Sequence, residues 1–337
     1  MPELPEVETV ARDLRPRVVG ARIAGTRTNW LKTLRSGDPA AFGAAVIGRE
    51  IVGTTRRAKL VVLELDDGQA ITIHLKMTGQ LFVVPAETPE DAYVRAVVSF
   101  DDGRELRFRD IRKFGRIGIA SRDGVSGDLI GELGGPKTFR GFGPEPLDPA
   151  FTLSTFRRRI RGRRGRLKSL LLDQAFIAGV GNIYADEALW AAKLHPLRTA
   201  QTLRPADERH LYSHLRRLLE EAVERRGSSI DDYTAPDGDG SMQEHLAVYG
   251  RTGEPCERCG RPIRRFFLGG RGTHFCSWCQ RLTPADRPAA AALLKTVTPR
   301  IGVSSKPGAS AARARRTAAT RQAAGTRRAA ARTASGS

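Results

Sequence analysis

The four cysteines constrain the fold of this chain more than any other feature of its sequence. They are two Cys-x2-Cys pairs with sixteen residues between them, formed by Cys256, Cys259, Cys276 and Cys279. Each pair places two thiolates on one tight turn, and two such turns form a tetrahedral site for Zn²⁺. Because four thiolates close the coordination shell, this zinc would be structural. A redox pair or free cysteines are the alternatives, and the spacing favours zinc.

The charge of the chain indicates its class of partner. The 337 residues carry a formal net charge of +19, and the nine Lys and Arg residues of segment 300–337 account for part of it. The remaining residues still carry +10. A membrane surface, an acidic protein or plain solubility would each suit a basic chain, but a regularly spaced polyphosphate gains most through counterion release. Nucleic acid is therefore the leading partner, with Arg264, Arg265 and Arg271 of the predicted finger available for phosphate.

The ends of the chain and its cysteines also predict a compartment. No run of 18 apolar residues occurs, and the first ten residues, MPELPEVETV, are acidic where a signal peptide would be basic and then apolar. All cysteines belong to the zinc pattern, so none remains for a disulfide framework. We expect a cytoplasmic protein without a membrane partner, acting as a monomer.

The pattern of apolar residues predicts an α+β chain. Val7, Val10, Ala11 and Leu14 follow helical spacing after Pro2. The next region has short runs rich in Val, Ile and Leu, with Asp-Gly turns at 67–68 and 102–103, which predicts an antiparallel β-sandwich. These runs are 60–65, 70–75, 94–100, 105–109 and 116–120.

Later segments divide the chain into further units. We predict an N-terminal sandwich domain at 1–133, and residues 134–150, dense in Gly and Pro, as a linker. Helical patterns then predict a helical domain at 151–245, followed by the zinc finger at 246–282. Segment 300–337 is rich in Ala and Arg and has almost no large apolar side chain, which predicts a disordered basic tail.

The second residue of the chain offers unusual chemistry. Removal of the initiator Met before Pro2 would expose a secondary amine, which can attack an electrophilic sugar carbon. An α-amino group titrates near pH ~8, so a useful fraction is nucleophilic at neutral pH. Glu3 is adjacent and could move protons. Met-Pro-Glu is also an ordinary way to open a helix, so the surrounding motifs must decide.

Three loops place polar groups at the ends of predicted elements. Lys59 precedes a strand, and the cations of segment 109–116 lie between two strands. The glycine turn of segment 176–192 places Asn182 at a helix start, where backbone N–H groups bind anions. Surface solvation and an ordinary glycine-rich helix start are the alternatives for each loop taken alone.

Together these motifs resemble one family. MPELPEVETV, RRAK, HLKMTGQ, DIRKFG, GVGNIYADEALW, VYGRTGEPC and the paired CxxC occur in the order seen in formamidopyrimidine-DNA glycosylases, over roughly residues 1–282. The resemblance implies an N-terminal β-sandwich flanked by helices, a helix-two-turn-helix domain and a β-hairpin zinc finger. It also implies base excision repair of double-stranded DNA that contains oxidised bases or abasic sites.

The resemblance implies roles for catalytic residues. Pro2 would be the nucleophile that forms a Schiff base with C1′, and Glu3 the proton donor to the sugar. Lys59 would serve β-elimination, and Arg271 δ-elimination and phosphate binding.

The resemblance also implies DNA contacts. Met77, Arg112 and Phe114 would fill the void left by a flipped nucleotide, although core packing is the alternative for Met77 and Phe114. Asn182, Arg164 and Lys168 would face phosphates. Many relatives have His-x-His-Val where this chain has Asp91-Ala92-Tyr93-Val94, so a histidine contact to DNA is in doubt.

Two other functions remain open at this point. Endonuclease VIII-like enzymes share the fold and mechanism but act on oxidised pyrimidines, and they usually begin Pro-Glu-Gly-Pro-Glu. This chain begins Pro-Glu-Leu-Pro-Glu after Met1, which favours oxidised purines such as 8-oxoguanine and formamidopyrimidines. A noncatalytic zinc protein that binds DNA would also suit the basic tail, but it would not need Pro2, Glu3 and Lys59 together.

Overall fold

The computed structural model describes residues 1–122, 129–131, 141–229, 238 and 240–298. The predicted tail, 300–337, and the first part of the predicted linker lie outside these residues. In the described residues, the N-terminal half consists mainly of antiparallel sheets and the second half mainly of helices, which confirms the α+β class. None of the described helices is both long and apolar enough to cross a membrane.

The N-terminal region opens with a helix and continues as strands. Helix α1 spans Leu4–Val18, and its predicted apolar face is buried. The elements that follow are β1 (Ile23–Thr28), α2 (Pro39–Val46), β2 (Ile51–Arg57), β3 (Leu60–Leu65), β4 (Gln69–His74), β5 (Gly79–Pro85), β6 (Val94–Phe100), β7 (Arg104–Asp110), β8 (Arg116–Arg122) and β9 (Leu129–Gly131). A 3₁₀ turn at Leu31–Thr33 separates β1 from α2.

The strands form the two sheets of the predicted sandwich. One sheet has the order β1-β6-β7-β5 and the other β2-β3-β4-β8-β9, with antiparallel pairing throughout. Ile71 and Ile73 of one sheet share a buried core with Val98, Leu106 and Phe108 of the other. The predicted turns at 67–68 and 102–103 join β3 to β4 and β6 to β7.

Four strands of the sandwich were not among the predicted runs, and one of them, β9, has only three residues. Strand β1 has the sequence IAGTRT, β2 has IVGTTRR, and β5 has GQLFVVP. Each contains glycine, and the first two also carry threonine and arginine, which weakens the apolar signal of a strand. Pairing with β6, β3 and β7 supplies the hydrogen bonds that local sequence does not predict.

The second half of the chain contains the helices and the finger. The helices are α3 (Leu153–Arg161), α4 (Leu167–Leu172), α5 (Asn182–Ala191) and α6 (Pro205–Glu224), with 3₁₀ turns at Ala200–Thr202 and Met242–His245. The finger is the hairpin of β10 (Arg264–Leu268) and β11 (Arg271–Phe275). A 3₁₀ turn at Pro284–Asp286 and helix α7 (Arg287–Leu294) follow, which the sequence did not predict.

The two halves meet through the start of the chain. Leu4 belongs to the core of the helical region, whereas Val7 and Val10 belong to the core of the sandwich. The backbone N–H of Leu4 donates to the carbonyl of Gly179 at 3.0 Å. The first turn of α1 therefore lies where both cores meet, and this position places the second and third residues between the halves.

Candidate active site

The carboxylate of Glu3 is buried between the two halves. Only 2% of this residue is exposed, and Pro2 is buried beside it. The backbone N–H groups of Ile183 and Tyr184 donate to the carboxylate at 2.9 and 3.4 Å. These are the free N–H groups of the first turn of α5, so the carboxylate occupies the positive end of that helix.

A second buried carboxylate supports the first. Glu6 accepts the hydroxyl of Tyr184 at 2.7 Å and the backbone N–H of Ser228 at 2.7 Å. The hydroxyl of Ser228 donates to the same oxygen at 3.0 Å, and the N–H of Glu3 donates to the other oxygen at 2.8 Å. Glu6 therefore joins the start of α1 to α5 and to the end of α6, and it fixes the backbone of Glu3.

Glycine is required at two positions around these carboxylates because any larger side chain would enter their space. A Cβ atom on Gly181 would lie 2.3 Å from Cδ of Glu3. A Cβ atom on Gly227 would lie 2.7 Å from Oε1 of Glu6, and its φ of +75° also favours glycine. The predicted glycine turn before Asn182 therefore leaves the space that Glu3, from the N-terminal half, needs to reach the start of α5 in the second half.

Lys59 lies close enough to Glu3 for each charge to affect the other. Burial lowers the pKa of Lys59, and the nearby Glu3 carboxylate raises it in part. Burial likewise raises the pKa of Glu3, and Lys59 lowers it in part. Burial is the larger effect on both, so each group gains a larger neutral population than it has in water.

The loop that carries Lys59 is fixed by the chain segment before the helical region. Ala58 has a φ of +53° and is buried, and its N–H donates to the carboxylate of Glu145 at 2.7 Å. The guanidinium groups of Arg56 and Arg57 donate to the same carboxylate at 2.6 Å each. Glu145 lies in the segment predicted as a linker, and it holds the turn between β2 and β3 in one conformation.

Arg271 lies at the start of β11, on the exposed side of the finger. Its charge contributes to lowering the pKa values of both Lys59 and Lys168, and its neighbour Gly272 contacts the start of α5, so Arg271 lies near the pocket formed around Glu3 and Glu6, the acid pocket. Asn182 is half-buried, and its Nδ2 donates to the carbonyl of Gly272 at 3.0 Å. Its Oδ1 is buried and has no hydrogen-bond partner among the described residues.

The structure corrects the expectation that Lys168 faces a phosphate. Lys168 is fully buried, and its Nζ lies 2.7 Å from Oδ1 of Asp186. It also donates to the carbonyl of Gly272 at 3.0 Å and to the hydroxyl of Thr273 at 2.9 Å. A buried ammonium is stable only with such partners, so Lys168 binds the finger to α4 and α5 instead of reaching the surface.

The predicted void-filling residues form an exposed group apart from the acids. Met77 is 37% exposed and Phe114 is 47% exposed, and the guanidinium of Arg112 lies 5.2 Å from the ring centroid of Phe114. Core packing is therefore not their role in this fold. The buried carboxylate of Asp110 accepts the hydroxyl of Thr78 at 2.5 Å and orders both loops.

The predicted contact residue Arg164 is also exposed, and so is Tyr93, where a histidine contact is in doubt. Arg164 lies on the loop between α3 and α4. Tyr93 is 41% exposed, with the guanidinium groups of Arg109 and Arg95 at 5.1 and 5.7 Å from its ring centroid. Asp91 pairs with Arg109. A tyrosine between two arginines thus occupies the position where a histidine contact is in doubt.

The predicted zinc ligands come together at the base of the finger. The four cysteine Sγ atoms lie within 4.8 Å of one another. Zn–S bonds of ~2.3 Å in a tetrahedron would place sulfur atoms roughly 3.8 Å apart, so the four thiols fit one zinc ion. The indole of Trp190 on α5 donates to Sγ of Cys256 at 3.5 Å, which docks the finger onto the helical domain.

Sequence reasoning missed several residues that hold this site together. They are Glu6, Glu145, Tyr184, Asp186 and Ser228. Glu6, Tyr184 and Asp186 lie within motifs and Glu145 lies in the predicted linker, but their partners are distant in sequence, as with Glu6 and Ser228 at a separation of 222 residues. An acidic residue inside a motif was the only signal in the sequence, and it does not predict which distant residue will bind that acid.

Comparison with known proteins assigns the three regions separately. The family model "Formamidopyrimidine-DNA glycosylase N-terminal domain" matches residues 1–117. The model "Formamidopyrimidine-DNA glycosylase H2TH domain" matches residues 142–234, and "Zinc finger found in FPG and IleRS" matches residues 253–282. The order of the three agrees with the sandwich, helices and finger of the structure.

Curated relatives and solved structures agree with these matches. The formamidopyrimidine-DNA glycosylase of Herpetosiphon aurantiacus is 45% identical over 282 residues, covering 83% of this chain and 100% of the relative. The crystal structure of the MutM (Fpg) protein of Thermus thermophilus has a TM-score of 0.73 and 42% identity, covering 84% of this chain and 100% of that one.

A further solved structure is a complex. Wild-type Lactococcus lactis Fpg (MutM), bound to DNA containing N7-benzyl-Fapy-dG, has a TM-score of 0.75 and 35% identity to this chain. The match covers 83% of this chain and 100% of the Lactococcus lactis chain. With three matched domains and relatives matched along their whole length, this chain belongs to the formamidopyrimidine-DNA glycosylase family of base excision repair, as its motifs predicted.

Proposed function

We propose that this chain is a bifunctional DNA glycosylase and abasic-site lyase that removes oxidised purines from double-stranded DNA as a monomer, with the amine of Pro2 as nucleophile. The observation that carries the proposal is the buried carboxylate of Glu3 at the start of α5, next to Pro2 and beside Lys59. Three groups suited to attack and proton transfer thus meet where the two halves of the molecule join.

The first step joins the protein to the sugar. Once Met1 is removed, the secondary amine of Pro2 attacks C1′, and the base leaves with the electron pair of the glycosidic bond and takes up a proton. The bond between C1′ and O4′ then breaks, O4′ receives a proton from Glu3, and the amine loses its own proton to leave an iminium. Burial raises the pKa of Glu3, which favours the protonated form that this transfer needs.

The second step cleaves the strand. Removal of a proton from C2′ expels the 3′ phosphate by β-elimination, and loss of the 5′ phosphate by δ-elimination follows. Burial lowers the pKa of Lys59, which favours the neutral amine that can take the C2′ proton. Arg271 is exposed beside the pocket and would bind the phosphate that leaves in δ-elimination.

The exposed group provides the route to a stacked base. The damaged nucleotide must leave the duplex, at a cost of a few kcal/mol, before C1′ can reach Pro2. Met77 and Phe114 are exposed apolar side chains that suit the space left in the stack, and Arg112 can pair with the orphaned cytosine. Asn182 and Arg164 would bind backbone phosphates, whereas Lys168 is buried and would fix the finger.

Two features support purine lesions as substrates. The chain begins Pro-Glu-Leu-Pro-Glu after Met1, unlike the start usual in endonuclease VIII-like enzymes. Solved relatives are complexes with Fapy-dG DNA or abasic-site DNA. Duplexes with 8-oxoguanine, formamidopyrimidine and 5-hydroxycytosine compared in one assay would separate the two specificities, because faster release of 5-hydroxycytosine would assign the endonuclease VIII-like activity.

Pro2→Gly tests the proposal. We expect the single-turnover rate of 8-oxoguanine excision to fall by about 10²-fold or more, because the secondary amine is lost. Affinity for a duplex with a tetrahydrofuran abasic analogue should stay within about twofold, since this analogue cannot form an iminium and the variant leaves the DNA-facing side chains intact. Unchanged excision in the variant would reject Pro2 as nucleophile, and absence of excision in the wild type would favour noncatalytic DNA binding.

A further inference from the structure

The chain continues past its family domains into an ordered segment. The matched zinc-finger model ends at residue 282, but residues 283–298 form a 3₁₀ turn, helix α7 and a short extended end. This segment packs on the finger side of the molecule. Its contacts are of three kinds, polar, apolar and backbone, and together they reach the helical domain and the hairpin.

The polar contacts join the segment to the helical domain through one carboxylate. Asp286 is 4% exposed and accepts the N–H and hydroxyl of Thr199 at 3.1 and 2.8 Å. It also accepts the hydroxyls of Thr202 and Thr283 at 2.9 and 2.6 Å. Four neutral donors therefore stabilise one buried carboxylate, which is the arrangement a buried charge needs in the absence of a cation.

The apolar contacts cover the hairpin. Ala290 is 1% exposed, and three further residues of the segment, Leu293, Leu294 and Val297, are partly buried with it. They pack against Phe266, Leu268 and Phe275 of the hairpin and Leu197 of the helical domain. Without this cover, the large side chains of the hairpin would lose part of their shield from water, so the segment completes the small core of the finger.

The backbone contacts protect the outer strand. The N–H of Arg265 in β10 donates to the carbonyl of Thr298 at 2.7 Å, and the N–H of Thr298 donates back at 2.7 Å. In the two-stranded hairpin, β10 pairs on its other side with β11. The end of the segment thus occupies part of the open edge of β10.

The inner strand of the same hairpin is held by a different network. The carbonyl of Gly272 accepts Lys168 and Asn182, and the N–H of His274 donates to Asp186 at 2.8 Å. The hairpin is therefore fixed on its β11 side by the helices and on its β10 side by segment 283–298. Arg271 lies between these supports, next to Gly272.

We propose that residues 283–298 are a brace that fixes the zinc-finger hairpin against the helical domain, with Asp286 as its positioning residue. The brace acts on the hairpin and not on the acid pocket. Its consequence for DNA rests on the proposed function, because only a chain that binds DNA through Arg271 gains affinity from a fixed hairpin.

Hydrogen exchange of the hairpin amides tests the brace without any catalytic assay. In the full-length, zinc-loaded protein we expect Asp286→Asn to accelerate exchange at residues 264–275 by about tenfold, since the buried group loses its charge and the hydrogen bonds that one of its two oxygens accepts. Asp101→Asn, an exposed aspartate on the turn after β6, is the matched control and should leave this exchange unchanged. Equal exchange in Asp286→Asn and wild type would overturn the proposal.

Two truncations separate the brace from the basic tail. A chain ending after Pro299 keeps the brace and should show wild-type exchange in the hairpin, whereas a chain ending after Leu282 should show faster exchange. Equal exchange in both chains would contradict the brace.

Affinity for a tetrahydrofuran duplex then tests the consequence for DNA. We expect Asp286→Asn to raise the dissociation constant by about three- to tenfold, because binding must first order the hairpin. Faster exchange with unchanged affinity would confirm the brace and reject its role in positioning Arg271. A wild type that excises no base would refute the proposed function while leaving the exchange result intact.

Discussion

The acid pocket and the exposed group both depart from the usual distribution of side chains: the first buries charged residues, and the second exposes apolar ones. Glu3 and Glu6 are charged residue types that are 2% exposed, whereas Met77 and Phe114 are apolar and more than a third exposed. Buried acids and exposed apolar groups are the informative exceptions in a folded chain. The acids depend on partners from both halves of the molecule, but the exposed group depends only on its own loops. The first region is therefore sensitive to changes in the fold, and the second to changes in DNA.

The largest effect should follow from removing the acid while keeping its shape. Glu3→Gln retains an acceptor for the N–H of Ile183 but cannot donate a proton to the sugar. We expect single-turnover excision of 8-oxoguanine to fall by about 10²- to 10⁴-fold. Glu50→Gln, at an exposed pair with Arg22, is the control and should keep the wild-type rate. An excision rate in Glu3→Gln within threefold of wild type would show that Glu3 is not the proton donor.

A smaller but still large effect should follow from filling the space around the acid. Gly181→Ala places a methyl 2.3 Å from Cδ of Glu3, so the carboxylate must leave the start of α5. We expect a loss of about 1–3 kcal/mol in the free energy of unfolding, measured in urea, together with slower excision. At Gly162 the nearest atom would lie at 3.7 Å, so Gly162→Ala should be close to neutral. Equal stability of the two variants would show that the pocket is not tightly packed.

The exposed group should respond in the opposite way. Phe114→Ala removes a ring that is 47% exposed, so we expect the free energy of unfolding to change by no more than about 0.5 kcal/mol. Excision from duplex DNA should slow by about tenfold or more, while excision from a pre-opened bubble should slow less. A large loss of stability would assign Phe114 to the core and erase the contrast between the two regions.

The smallest effect concerns His74, a histidine at the end of β4. Burial, with help from Lys76 and Lys59, lowers the pKa of His74 to about 3. The unfolded chain takes up the proton near pH ~6.5, so this histidine costs stability progressively as the pH falls from there towards 3. Asn at this position retains an acceptor for the N–H of Lys76. His74→Asn should therefore lose less stability than wild type between pH 7 and pH 5, as measured by urea unfolding. If the free energy of unfolding falls as steeply between pH 7 and pH 5 in His74→Asn as in wild type, His74 is not the source of this pH dependence.

The features that the sequence predicted correctly depend on local spacing. The cysteine pairs, the apolar face of α1 and strands such as β3 and β6 each follow from residues close together in the chain. The features that it missed depend on distant partners. Lys168 occurs in a basic segment, which predicts an exposed side chain. In the structure it is buried because it pairs with Asp186 and donates to the carbonyl of Gly272. Helix α7, with the sequence RPAAAALL, has too few large apolar residues to signal a packed helix, and only Phe266, Phe275 and Asp286 reveal its position.

The central claim is that the amine of Pro2 bonds to the sugar. Borohydride reduction of the protein with duplex DNA containing 8-oxoguanine opposite cytosine tests it most directly, because borohydride converts an iminium into a stable amine. We expect a covalent complex in which the peptide linked to DNA begins at Pro2 and lacks Met1. A link at Lys59 or another lysine, or no link on 8-oxoguanine and abasic duplexes alike, would contradict it.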